Sequence, residues 1–455
     1  MTIWEIYLIL CHILSIFAFI YMLSEKQRTP TSIIAWILSF AFLPYIAVPL
    51  YFFIGIRKRK VEKKPEIEAP SALKNKKFKS KRTIPKLFEN YGLEAITSAH
   101  FFELYHEGIQ AYEAFIAAIK NAKKTIYIST YVLKNDVMTK KLLIELKKKA
   151  KEGVEIKILA DSVGSWQLYF NYFLIKRIRK SGIDLRFFMP IFKNPFKNEI
   201  NLRNHRKIYL VDDEIVFTGG MNLGNEYMGP KPCNKRWEDL LFCMKGNVVM
   251  SFHNIFVNDW RYTTDETLAC AKSQNTEEKH LVQVAPSGPD IERDVLYNAI
   301  LNQIYLTNHR LWIMTPYFIP SNELVRALIV AKRRGVDVKI ITPLKSNHTM
   351  ADIGRSSYLQ RMNDAGVELC LFEGKMVHAK AILFDDVVML GSVNIDYRSL
   401  FLNYELGVFF YSDDIIKEIE LWMKSFIESV HHDLENRGKF KQFLGNIMKV
   451  FVPLL

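Results

Sequence analysis

Cysteine is scarce in this chain: five residues in 455 (Cys11, Cys233, Cys243, Cys270 and Cys370), an odd number with no C-x-x-C pair. That excludes a disulfide-built fold and a cysteine zinc site, and it fits unpaired thiols in a reducing compartment. Glycine, at 20 residues, is too sparse for a collagen repeat, and no long heptad run supports a coiled coil. Low-complexity tracts are few and aromatic content is 13%, which excludes a mainly disordered chain. Acidic residues are outnumbered, 48 against 62 basic ones, leaving a net charge of +14. Such an excess points to an anionic partner: nucleic acid, phospholipid headgroups or a phosphorylated substrate. At roughly 100–200 residues per domain the length allows two to four domains.

What the chain has at its start is apolar length. Residues 6–23 and 32–56 contain no Asp, Glu, Lys or Arg, runs of 18 and 25 residues. At 1.5 Å per helical residue both come near the thickness of a hydrocarbon core, so the expectation is a two-helix transmembrane hairpin over residues 1–56. No basic n-region precedes the first run, which argues against a signal peptide. Trp4, Tyr7, Trp36 and Tyr51 suit interfacial anchors. The short loop between the runs carries Glu25, Lys26 and Arg28, whereas residues 57–82 carry 12 basic and 3 acidic residues, net +9. The positive-inside bias therefore places the large C-terminal part in the cytoplasm. A basic linker (57–88) beside a bilayer attracts anionic membrane lipids. Only +5 remains outside residues 57–82, so no nucleic acid is expected as a partner.

The rest reads as a duplicated α/β unit. Residues 125–131 (TIYISTY) and 311–317 (LWIMTPY) are β-branched and aromatic, hence strands. Each leads to an amphipathic helix, 138–151 and 323–334, with Asn135 or Asp136 and Ser321 as N-caps. Each helix ends at glycine before another strand, GVEIKI at 153–158 against GVDVKI at 335–340. The near-constant offset marks an internal repeat. The expected fold is α/β: two pseudo-symmetric halves (89–262 and 281–436) with mixed, mostly parallel sheets, joined by a polar linker (263–280). A tail at 437–455 has the spacing of a short interfacial helix.

A second shared pattern carries chemistry. His205, Lys207 and Asp212 precede Gly219-Gly220-Met221-Asn222; His378, Lys380 and Asp385 precede Gly391-Ser392-Val393-Asn394. Composition predicts about 0.16 such H-x-K-x4-D matches by chance. Two matches at the same place in a repeat exceed that greatly. Histidine and lysine two apart on a strand share a face, so each half presents an imidazole and an ammonium together. Paired across a pseudo-twofold axis, they suit a phosphodiester: a neutral histidine attacks phosphorus while a protonated one serves the leaving oxygen. Lys207, Lys380, Asn222 and Asn394, with Ser392, would hold the non-bridging oxygens. No metal and no cofactor is required. One irregularity stands out. Six residues separate Asp212 from Gly219 but five separate Asp385 from Gly391, so either the second turn tightens or Asn394 is displaced.

These motifs resemble those of the phospholipase D superfamily, whose paired H-x-K-x4-D-x6-G-[GS]-x-N patterns form one active site. Residues 28–55, 201–229, 286–289, 315–320 and 391–405 are more closely similar to the bacterial cardiolipin synthases. The resemblance implies transfer of a phosphatidyl group from one phosphatidylglycerol to another through a phosphatidyl-histidine, without a metal. A membrane-bound hydrolase releasing phosphatidic acid would use the same residues. The resemblance also implies a carboxylate beyond each motif that orients a histidine, Glu405 in the second half and Asp239 in the first. With Glu405 as partner of His378, the protonated His378 would be the acid and His205 the nucleophile. Oligomeric state and acyl-chain contacts are not legible.

Overall fold

The computed structural model describes residues 2–24, 30–55, 83–93, 96–191, 201–269 and 279–430. The hairpin loop, the polybasic segment and the C-terminal tail lie outside the described residues.

The N-terminal segment forms α1 (Ile3–Ser24), α2 (Pro30–Phe42) and α3 (Pro44–Ile54). Of these, Ile3–Met22 within α1 is long and apolar enough to cross a membrane. The second run is not one helix, which corrects the two-helix hairpin. Pro44 lacks an N–H and its ring disfavours the helical region for Leu43, whose φ and ψ are −138° and 52°. The resulting pieces, 13 and 11 residues long, reach only about 20 and 16 Å, short of a ~30 Å hydrocarbon core. They turn back on each other. Tyr51 meets Trp36 edge-on at 5.1 Å and Phe40 at 5.4 Å, whereas 15 residues of straight helix would separate positions 36 and 51 by about 22 Å. Tyr51 is therefore a buried packing residue rather than an interfacial anchor. Tyr7 Oη also donates to the carbonyl of Tyr45 at 2.8 Å, tying α1 to α3.

The α/β body begins with α4 (Thr83–Asn90), β1 (Thr97–Ala99), β2 (Phe101–Tyr105), α5 (Gly108–Asn121), β3 (Thr125–Thr130) and α6 (Val137–Lys151). There follow β4 (Glu155–Asp161), α7 (Trp166–Tyr169), α8 (Tyr172–Arg179), β5 (Ile183–Phe188), β6 (Ile208–Val211), β7 (Ile215–Gly219), β8 (Leu241–Lys245) and α9 (Val248–Thr264). The second half comprises β9 (His280–Ser287), α10 (Val295–Leu306), β10 (Arg310–Met314), β11 (Phe318–Ile319), α11 (Asn322–Arg333), β12 (Asp337–Pro343) and α12 (Thr349–Asp364). It ends with β13 (Glu368–Phe372), β14 (Ala381–Leu383), β15 (Val388–Gly391), β16 (Ile395–Asp396), α13 (Tyr397–Phe401), β17 (Glu405–Phe410) and α14 (Asp413–Ile427). Asp136 and Ser321 cap α6 and α11 by accepting from Thr139 N and Leu324 N.

Two large sheets result, ordered β2-β8-β7-β6-β3-β4-β5 and β1-β9-β17-β15-β14-β10-β12-β13. Both are mixed, but parallel pairing is the minority. It is confined to β3-β4-β5 and β10-β12-β13, the strand–helix–strand units whose crossovers demand it. The motif hairpins β6–β7 and β14–β15, and every strand beyond them, pair antiparallel.

The boundaries between segments also shift. Residues 83–88, expected in the linker, lie in α4, where Ile84 and Phe88 enter the second half's core. β1 pairs with β9 of the second sheet. α9 continues to Thr264, so the connection between halves begins at Asp265, which closes the helix in the left-handed conformation at φ 61°. Cys11, Cys233, Cys243 and Cys370 are unpaired thiols; Cys270 lies outside the described residues.

Candidate active site

His205 and His378 sit on extended segments just before β6 and β14, and both line one cavity of about 390 Å³ between the halves. The shortened second motif does not disturb this. In the first hairpin Val211 pairs with Ile215, leaving Asp212, Asp213 and Glu214 in the turn. In the second, Phe384 N bonds to Val387 O around Asp385 and Asp386 alone. The missing residue is absorbed by the turn. Ile208 opposite Thr218 and Ala381 opposite Leu390 then restore the same register below each glycine. Gly219 (φ 140°) and Gly391 (φ 153°) need glycine, since a Cβ there would stand 2.5 Å from Leu240 O and 2.1 Å from Leu406 O. Asn222 and Asn394 both reach the cavity.

Asp212 and Asp385 do not join the cluster; neither lines the cavity. Asp212 accepts from the backbone N–H groups of Lys123, Lys124 and Thr125, and Asp385 from those of Asn308, His309 and Arg310. Each pins its hairpin turn to the start of the neighbouring strand, so the expected catalytic placement of these two is corrected to a positioning one. Ser392 is also redirected: its hydroxyl donates to Glu405 and accepts from Leu406 N, away from the cavity.

The carboxylate pairing is crossed between halves. His205 Nδ1 lies 3.0 and 3.1 Å from the two oxygens of Glu405, and His378 Nδ1 lies 2.6 Å from Asp239 Oδ2. Glu405 is thus not the partner of His378, and the argument that made His378 the acid on that ground falls. The crossing has a backbone cause. His205 N bonds to Tyr404 O at 2.8 Å and His378 N to Glu238 O at 2.7 Å, so each histidine segment pairs in parallel with the residue preceding the other half's carboxylate. The G-[GS] position completes the fit. A Cβ on Gly220 would stand 2.1 Å from Asp239 Oδ1, whereas Ser392 in the same place bonds the longer Glu405.

Tautomers follow. The carbonyl of Ser392, 3.2 Å from His205 Nδ1, can only accept, so Nδ1 carries the proton; the Asp239 carboxylate imposes the same on His378. Each Nε2 keeps its lone pair. The lysines are more deeply buried than the histidines. Lys207 Nζ donates to His205 O at 2.6 Å, and Lys380 Nζ donates to His378 O while standing 2.8 and 3.0 Å from the two ring nitrogens. Burial pulls Lys207 down to about 7 and Lys380 to about 8, each only partly offset by the carboxylates. Burial, reinforced by Lys380, lowers His378 to about 3; burial also lowers His205, against the attraction of Glu405. Asp239 and Glu405 stay below the usual range because their histidine and lysine partners outweigh burial.

A pH dependence of stability follows. Between pH 6.5 and about 3 the unfolded chain protonates the His378 imidazole while the folded one does not, so stability is lost as pH falls through that window. Asp396, pushed up to about 6 by burial, acts in the opposite sense between 3.8 and 6. Melting temperature should therefore fall more steeply from pH 7 to pH 4 in the wild type than in His378→Gln. Parallel curves would contradict this.

Sequence reasoning missed several cavity residues. Tyr131 meets the His205 ring edge-on at 4.8 Å, and Tyr227 and Trp237 lie 5.2 and 5.1 Å from the His378 ring. Arg203, Tyr317, Asp396 and Arg398 complete much of the wall. Arg203 had a signal: it stands two residues before His205, where alternation puts it on the same face.

Comparison with known proteins settles the lineage. Residues 115–260 and 300–427 match a family profile described as "Cardiolipin synthase, PLD-like domain". The chain belongs to the cardiolipin synthase family. Residues 13–55 match a second profile, "Phospholipase_D-nuclease N-terminal". A cardiolipin synthase of Clostridium perfringens (strain SM101 / Type A) is 31% identical, over 94% of this chain and 95% of that one. "Cardiolipin synthase 2" of Bacillus anthracis is 28% identical, over 94% and 88%. Among solved structures, phosphatidylserine synthase of Haemophilus influenzae Rd KW20 superimposes with a TM-score of 0.61 at 17% identity, covering 82% of this chain and 98% of that one, a likeness of fold alone. The cardiolipin synthase family profile thus covers both motif-bearing halves and, in its two stretches, both histidines.

Proposed function

We propose that this chain is a membrane-associated phosphatidyltransferase that makes cardiolipin from two molecules of phosphatidylglycerol. The observation that carries the reading is the pair of histidines, each held through Nδ1–H by a carboxylate of the other half, with both rings lining one cavity and the Nε2 of His378 3.0 Å from Lys380 Nζ. In the first step one Nε2 lone pair attacks phosphorus, the bond from phosphorus to the glycerol oxygen breaks, and the opposite imidazole, protonated once the entering phosphate anion favours its charged form, gives that oxygen its proton. In the second, the hydroxyl of another phosphatidylglycerol loses its proton to that imidazole and attacks phosphorus, and the phosphorus–nitrogen bond breaks. Atoms balance: two phosphatidylglycerols give cardiolipin and glycerol. Asn222 and Asn394, which line the cavity, would hold the non-bridging oxygens, while Lys207 and Lys380, buried beside the histidines and outside the cavity lining, would add positive charge. An arriving phosphate anion raises the depressed lysine values and holds both protonated.

Near-equal holding of the two rings leaves the division of labour between His205 and His378 to be read from the adduct. Lipid extracts from cells expressing this chain in a cardiolipin-null background test the function: cardiolipin should appear. Phosphatidic acid in its place would favour the hydrolase.

The charge bias after the apolar helices supports a cytoplasmic position for the α/β body, with residues 57–82 against anionic headgroups. Neutralising Lys74, Lys76, Lys77, Lys79 and Lys81 should weaken vesicle association and reduce its salt sensitivity, while turnover in detergent micelles persists. Lost micellar turnover with the fold intact would place these lysines in the active site instead.

A further inference from the structure

Transfer between two phosphatidylglycerols, the reading on which this inference rests, brings two phosphodiesters into one cavity. The paired motifs are built around a single phosphorus. The second anion needs its own cations, and the cavity wall supplies them asymmetrically.

The motif residues repeat between halves, but their neighbours do not. Four residues beyond the motif asparagine stands Glu226 in the first half and Arg398 in the second; two residues before the motif histidine stands Arg203 in the first and Met376 in the second. Arg203, Arg398 and Glu226 all line the cavity. Glu226 is neutralised by its ion pair with Lys134. The two arginines have partners of their own, Arg203 donating to Ser162 Oγ at 3.0 Å and pairing with Asp161, and both still line the cavity. Each is close enough to influence the ionisation of Tyr131, which meets the His205 ring, and Arg203 acts on Arg398 as one positive charge on another. Their counter-ions are heavily engaged. Asp161 lies 3.5 Å from Arg203 and already accepts from Val163 N, Gly164 N and Asn204 N. Asp396 accepts from Ser399 N as the cap of α13 and is held towards its neutral form by burial. Two guanidiniums kept together on a cavity wall repel each other, and an anion bridging them removes that repulsion.

We infer that Arg203 and Arg398 form a second phosphodiester subsite, which holds the phosphate of the acceptor phospholipid while its hydroxyl meets the phosphatidyl-histidine. The subsite distinguishes a lipid acceptor from glycerol or water, which carry no phosphate. Its loss therefore changes which acceptor is used.

The test uses the full chain in mixed micelles of phosphatidylglycerol with labelled glycerol present. Two products are counted together: cardiolipin, from the lipid acceptor, and labelled phosphatidylglycerol, from the glycerol acceptor. Arg398→Gln should lower the ratio of cardiolipin to exchanged glycerol roughly tenfold or more, the scale of a lost charged hydrogen bond. Arg398→Lys should restore much of it. An unchanged ratio, whether or not both rates fall, overturns the inference. Should Arg398→Gln melt below the assay temperature, inorganic phosphate added to the wild type takes its place: it should depress cardiolipin formation more than glycerol exchange, and equal inhibition overturns the inference. A wild type that releases phosphatidic acid and never forms cardiolipin would instead sink the proposed function, a result separate from either ratio.

Discussion

Alanine at either His205 or His378 should reduce turnover of phosphatidylglycerol by about 10³-fold or more, and the double variant should be little worse than either single one. Two groups acting on one phosphorus fail as a unit, so their losses do not add. The two variants should nonetheless differ with a substrate whose leaving group needs no proton. The variant that keeps the nucleophile should still accumulate a phosphatidyl adduct, and the other should form none. Peptide mapping by mass spectrometry then names the nucleophile. Adduct in both variants would contradict a division of labour, and adduct in neither would contradict covalent chemistry on these residues.

The carboxylates should show a crossed dependence. Glu405→Gln and Asp239→Asn each remove the negative charge that holds a histidine through Nδ1–H and offer an amide N–H in its place, an effect on the order of 10²- to 10⁴-fold on turnover where such a contact has been altered. Both side chains are fully buried against a histidine and within reach of a lysine, so melting temperatures must be compared alongside rates. The discriminating readout is adduct formation with the activated substrate. If the adduct maps to His205, Glu405→Gln should slow its appearance more than Asp239→Asn; if it maps to His378, the order should reverse. The opposite pairing would mean that each carboxylate serves the histidine of its own half.

Sequence pattern carried much of the fold. The strands at 125 and 310, the helices after them and the caps Asp136 and Ser321 follow from short-range rules that tertiary packing did not override. The matched motifs identified both histidines because chemistry there constrains residue type and spacing together. Long-range pairing was not legible. The crossing of Glu405 and Asp239 depends on bridges between Asn204 and Tyr404 and between Glu238 and Val377, which no local period encodes. The placement of β1 in the second sheet is of the same kind. The break at Leu43 was legible in principle. Pro44 stands in the sequence, but hydropathy alone reads through a proline that the backbone cannot ignore. Asp212 and Asp385 show a further limit, since a carboxylate that fastens a turn has the same spacing as one that faces substrate.

The most direct measurement of the central claim follows both halves of the donor lipid at once. Purified full-length chain is given phosphatidylglycerol labelled separately in its headgroup glycerol and its acyl chains. One cardiolipin should form for each glycerol released, with a transient acyl-labelled adduct on His205 or His378. Glycerol released in equal amount with phosphatidic acid, and no cardiolipin, would contradict it.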